Sequence, residues 1–167
     1  SAGFAMFEIM VGHVEQARLM HAAAEQGLAL LSPAHPARHH LLAVAAASGM
    51  MIALADADLP LARERAASMY REGMASEDMP LLASVGSALA HLARALGQPG
   101  RAAEILGACA AVRGGEDLTD PTVTLLGPQL REALGPDGYD LAYAAGMALG
   151  RPKALGLLDP ASLGLSP

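Results

Sequence analysis

The chain has little of what disulfide-bonded and most catalytic folds depend on. One cysteine, Cys109, stands among 167 residues, with no tryptophan, two phenylalanines and three tyrosines. A single thiol excludes an internal disulfide and any multi-cysteine zinc site, and it fits a reducing cytoplasm. Charged residues supply only 17%, with a formal net charge of −6. An acidic surface opposes a phosphate backbone, so direct nucleic-acid binding by this segment is not expected. Neither a Gly-x-Ser-x-Gly elbow, nor a Gly-x-x-x-x-Gly-Lys loop, nor a Gly-x-Gly-x-x-Gly turn occurs, which removes the commonest hydrolase, nucleotide and dinucleotide signatures. The uncharged stretch 41–55 has 15 residues, short of the about 20 that a membrane span needs. Its polar break at Ser48-Gly49 reads as a buried helix instead, and no signal-peptide pattern precedes it. The expectation is a cytoplasmic protein without membrane contact, cofactor or enzymatic activity.

What is abundant is alanine, at 37 positions. Alanine is the best helix former and lets helices approach closely, so propensity and packing agree. A pattern also recurs three times. Gly12-His13-Val14-Glu15-Gln16-Ala17-Arg18, Ala57-Asp58-Leu59-Pro60-Leu61-Ala62-Arg63 and Gly97-Gln98-Pro99-Gly100-Arg101-Ala102-Ala103 superpose. Each has a small residue, a short turn and a helix whose first buried position is alanine. The intervals, 45 and 40 residues, lie among those of helical-hairpin repeats. The predicted fold is all-α: antiparallel, tetratricopeptide-like helix pairs stacked as an α-α superhelix, closed by a C-terminal capping pair.

Residues 1–167 are expected to form one helical-repeat domain. A partial first repeat covers 3–31, a second 37–75, a third 78–114, capping helices 120–150 and a fraying tail 156–167. Ser1-Ala2 without methionine, and half of a helix pair at 3–11, predict a segment of a longer protein. Asp58, Asp78 and Asp120 are expected N-caps, with Pro60 and Pro121 in first helical turns. Pro128 is expected to kink its helix. Leu82, Val85, Leu89, Leu92 and Leu96 step by three and four along one helical face.

Two stretches carry a resemblance. Arg101-Ala102-Ala103-Glu104-Ile105-Leu106-Gly107-Ala108 with Val112-Arg113 resembles the last repeat of large transcriptional regulators from high-GC bacteria, of the LuxR-like and antibiotic-regulatory (SARP-type) kinds. Leu130-Arg131, Ala133-Leu134-Gly135, Tyr139, Tyr143, Gly146 and Ala148-Leu149 resemble the helical pair that closes that array. The family's usual Gly-Arg-Ala-Leu ending stands here as Gly146-Met147-Ala148-Leu149, and Leu165-Ser166-Pro167 resembles the opening of a LuxR-type helix-turn-helix domain. The resemblance covers residues 85–150. It implies a non-catalytic interaction and regulatory module whose partners are a protein or other domains of the same polypeptide. No ATPase or DNA-binding residue is carried over, because those modules lie outside the chain.

Candidate chemistry is sparse. His35, His39 and His40 are the best metal candidates, yet Pro36 separates His35 from the helix and no acidic residue is near in sequence, so a solvated helix start is favoured. His13-Val14-Glu15 matches half of a zinc-deaminase signature whose cysteine half is absent. Cys109 occupies a position equivalent to Met69 and reads as a small core hydrophobe rather than a nucleophile. Glu116, Asp117 and Asp120 read as turn and cap residues, not a calcium loop. His91 is expected to hydrogen-bond at a helix interface.

For recognition, the expected interaction surface contains His40, Ser87 and His91. An effector pocket lined by Met50, Met51 and Met69 is the alternative. Phe4, Phe7 and Met10 are the expected contacts of a homodimer. The leucine stripe gives a direct test of register: Leu89→Ala should lower the unfolding free energy by about 2–5 kcal/mol in urea melts, whereas an exposed site would change it by less than about 0.5 kcal/mol.

Overall fold

The structure, a computed structural model, describes residue 8, residues 12–117 and residues 119–164. Among them the protein is all-α, with no strand. The helices are α1 (Val14–Ala29), α2 (Arg38–Ala55), α3 (Leu59–Ala75), α4 (Met79–Ala95), α5 (Pro99–Arg113), α6 (Pro121–Leu134), α7 (Pro136–Met147) and α8 (Arg151–Leu157). A 3-10 turn at Pro160–Leu163 follows. Where one domain was expected, the chain forms two compact units, Ser1–Asp78 and Met79–Pro167, divided between the second and third repeats. Phe4, Phe7, Met10 and the segment 165–167 lie outside the described residues.

The 40-residue interval read from sequence between Ala57 and Gly97 holds two helices, and each helix ends in the same kind of turn. Ala57, Glu77 and Gly97 stand twenty residues apart, each at positive φ (57°, 56° and 74°) in the turn after a helix. Their amides donate to Leu54, Met74 and Arg94 carbonyls. The next amide reaches one residue further back, from Asp58 to Ala53 and from Gln98 to Ala93, both at 2.9 Å. This is the Schellman closure, which satisfies the carbonyls orphaned at a helix end. A new helix starts at once, so each 40-residue repeat is a pair of helices, each closed by its own turn. Asp58 accepts the Leu61 amide at 3.0 Å with Pro60 in the first turn, and Asp120 accepts the Thr122 amide at 2.8 Å ahead of Pro121.

In the first unit, α2 packs against α1 and α3, burying Ala43, Ala46, Met50, Ala53, Ala62, Ala66 and Met69. α2 is the one helix among the described residues long and apolar enough to cross a membrane, and half of it is buried within the protein.

In the second unit, α5 is central and touches α4, α6, α7 and α8. The tail expected to fray from residue 156 is instead part of this unit. Leu157, Leu158 and Leu163 are buried. Leu158 packs over Gly86, where a Cβ would lie 3.0 Å from its Cδ1, and Gln98 and Arg101 donate to the Leu163 and Ser162 carbonyls. The tightest contact is between α5 and α7. A Cβ on Gly107 would overlap the Tyr143 carbonyl and lie 2.8 Å from the Met147 amide nitrogen. A Cβ on Gly146 would overlap the Glu104 carbonyl and lie 2.9 Å from the Ala108 amide nitrogen. Backbone meets backbone here, which only glycine permits.

Gly107→Ala and Gly146→Ala should each cost about 3 kcal/mol or more, since neither clash is with a movable side chain. Gly100→Ala, on the same α5 but facing open space, should instead be neutral or stabilise by about 0.5 kcal/mol. Urea denaturation of the three variants checks both signs.

Candidate functional site

The second unit carries a groove of about 420 Å³ between α6 and α7. Val123, Thr124, Gly127, Pro128 and Arg131 line it from α6, Tyr139, Asp140 and Tyr143 from α7, and Glu116 from the loop after α5. Tyr139 and Tyr143, one helical turn apart, stack with ring centroids 5.8 Å apart and planes inclined by 23°. The Arg131 guanidinium carbon lies 4.2 Å above the Tyr139 ring, and Arg131 pairs with Asp140 at 2.7 Å. The Tyr143 hydroxyl faces Glu116; burial and this carboxylate raise its pKa. Burial raises Tyr139 as well, against the opposing charge of Arg131. Both phenols therefore stay neutral at neutral pH. Pro128 has no amide hydrogen for the Thr124 carbonyl one turn earlier, and both residues line the groove.

The first unit holds a polar relay inside apolar helices. Fully buried Ser48 donates to the Ala45 carbonyl at 2.9 Å, so its oxygen accepts from His21 Nδ1 at 2.8 Å. His21 Nε2 faces Glu25 at 3.4 Å, and Arg65 pairs with the same carboxylate at 3.2 Å. Gly49 leaves space for the ring, since a Cβ there would lie 3.2 Å from it. The order Ser–His–Glu is that of a nucleophilic triad, but a buried mid-helix hydroxyl gives no substrate access. Burial lowers the His21 pKa; Glu25 opposes this and Arg65 adds to it.

The residues singled out from sequence do not converge. His35 accepts the Ala37 amide through Nδ1, His39 pairs with Glu72 at 2.8 Å and His40 lies 3.6 Å from Asp78. No group of three His, Cys, Asp or Glu among the described residues could hold a metal ion. Of the expected interaction surface, His40 is exposed, but Ser87 is not: it is 1% exposed and donates to the Ser84 carbonyl. The reason is that α4 is buried on nearly all sides rather than along one stripe. His91 lacks its expected hydrogen bond; Nε2 is shut from solvent without a partner, and burial, helped by Arg94, depresses its pKa to about 4. Met50, Met51 and Met69 are core residues, and the groove lies elsewhere. Cys109 is a free, buried thiol whose pKa burial pushes up. His13 bonds Glu8 at 2.7 Å.

Sequence reasoning missed the groove and the relay. The spacing of Tyr139 and Tyr143 was available as a signal, and so was the polar break at Ser48. Comparison of the chain with protein-family models, curated proteins and solved structures yields no match.

The two largely enclosed histidines, His21 and His91, predict acid sensitivity. Their folded pKa values lie below the ordinary 6.5, so between pH 6.5 and about 4 the unfolded chain binds more protons and stability falls as pH falls. His91→Leu removes the orphaned nitrogen and the titration together. It should stabilise the protein by about 1 kcal/mol at pH 7 and by on the order of 2 kcal/mol more at pH 4.5. A pH series of urea melts reads both; an unchanged pH slope in the variant contradicts the assignment.

Proposed function

We propose that this chain is a non-catalytic interaction and regulatory module of a cytoplasmic transcriptional regulator, of the LuxR-like or antibiotic-regulatory kind. The observation that carries this reading is the α6–α7 groove. It gathers two aromatic faces, a cation and two carboxylates at one place, and the buried Cys109 and Ser48 offer no nucleophile to a substrate. The sequence resemblance over residues 85–150 supports the regulator part. It includes Tyr139 and Tyr143 of the groove floor and Gly107 and Gly146 of the crossing that holds them. The partner is a protein or another domain of the same polypeptide, with no nucleic-acid or membrane contact by this segment. Self-association through Phe4, Phe7 and Met10 belongs to the same reading.

A second reading, an effector-sensing pocket, is favoured by the groove's volume, about 420 Å³, since small-molecule sites span about 300–1,000 Å³. The site of such an effector would be the groove rather than the methionine core.

Arg131 is exposed, so Arg131→Ala should cost folding about 1 kcal/mol or less. Introduced into the parent gene of the source organism, it should shift the transcripts of a limited set of operons while the abundance of the protein stays constant. Unchanged transcripts at unchanged abundance contradict the proposal.

A further inference from the structure

We propose that the α6–α7 groove receives an organic cation: a guanidinium, amidinium or ammonium group with an apolar stem. The inference rests on reading the groove as a recognition site and assigns the chemistry of what enters it.

The floor already holds such a group. Arg131 stands 4.2 Å over the Tyr139 ring and is anchored by Asp140. The negative face of an aromatic ring attracts cations, and a second ring stacked beside it extends the same surface. At that second ring sits Glu116. Its carboxylate lies beside the Tyr143 hydroxyl, lines the groove and makes no ion pair among the described residues. It is exposed and retains free lone pairs for an incoming donor.

The other side of the groove is formed by α6. The Thr124 carbonyl has no amide to take from Pro128, and both residues line the cavity. Val123 and Gly127 leave an apolar strip for a hydrocarbon stem. Among the lining residues two carboxylates face one guanidinium. An anion would have to part Arg131 from Asp140 and then meet Glu116. A cation seated at Tyr143 and Glu116 meets an aromatic ring and a carboxylate and leaves the Arg131–Asp140 pair in place.

Such a group can come from a free amine or from a basic side chain of a partner, and three probes separate the sources. Benzamidine, benzoate and the peptide acetyl-Gly-Gly-Arg-Gly-Gly-amide are titrated into the ¹⁵N-labelled chain, following the amides of residues 116–143. Benzamidine should shift these amides saturably and benzoate should not. Glu116→Gln should weaken benzamidine by about fivefold, and the melting temperature of this variant, changed at an exposed position, should hold. Tighter binding of the peptide assigns a side chain of a partner; benzamidine alone assigns a free ligand. Benzoate binding as well as benzamidine overturns the proposal and leaves the recognition reading standing, as does an unchanged affinity in Glu116→Gln. Shifts with neither cation overturn the proposal too. Benzamidine seated in a chain whose Arg131→Ala variant leaves transcription untouched would fault the regulatory reading alone.

Discussion

Where α5 crosses α7, Gly107 faces the Tyr143 carbonyl and Gly146 faces that of Glu104, so two backbones touch with no side chain between them. Everything else in the second unit is arranged around that approach. α5 can then contact α4, α6, α7 and α8 at once, and it buries residues on every side, from Ala102 to Val112. A chain with 37 alanines and five aromatic residues has few large side chains with which to fill space between helices. Close approach replaces bulk: each alanine buries little apolar area, but density and dispersion are kept when the gaps are small. The same economy holds α8 and its turn, where Leu158 covers Gly86 and the Cys109 thiol lies beside the same glycine.

The crossing also has a chemical consequence. The carbonyl against Gly107 belongs to Tyr143, so the contact that packs α7 also fixes one ring of the groove floor. Tyr139 follows one turn earlier, with Arg131 laid over it from α6. The aromatic floor of the groove thus stands on a rigid backbone contact, which limits the reorganisation that binding requires. The first unit uses polar groups differently. His21 bonds Ser48 and Arg65 pairs with Glu25 beside the ring, joining α1, α2 and α3 through polar contacts where apolar side chains are short.

Local features of the fold were legible because their causes are local. The Asp58 and Asp120 caps, the prolines of the first turns and the stripe from Leu82 to Leu92 each follow from a few neighbouring residues. Helix type was therefore secure, and two helices, Pro121–Leu134 and Pro136–Met147, lie within the range 120–150. What escaped depended on distant partners. The segment after Gly156 reads as a tail by composition, yet Leu158 finds a glycine notch on α4. Ser87 lies off the leucine stripe and reads as exposed, but α4 is covered on nearly all faces. The twenty-residue interval was hidden because Ala57 and Glu77 do not announce a left-handed turn as Gly97 does. In the groove, Tyr139 and Tyr143 were visible as a pair one turn apart, whereas Arg131 and Glu116 join them only through the packing of three elements.

The most direct test of this account is a nuclear Overhauser spectrum of the labelled chain, read at the α-protons of Gly107 and Gly146. The account predicts strong cross-peaks from Gly107 to the Met147 amide and from Gly146 to the Ala108 amide, because no other arrangement brings these backbones together. Absence of both cross-peaks, with α5 and α7 each still helical by their sequential amide contacts, would contradict the glycine crossing and with it the geometry of the groove.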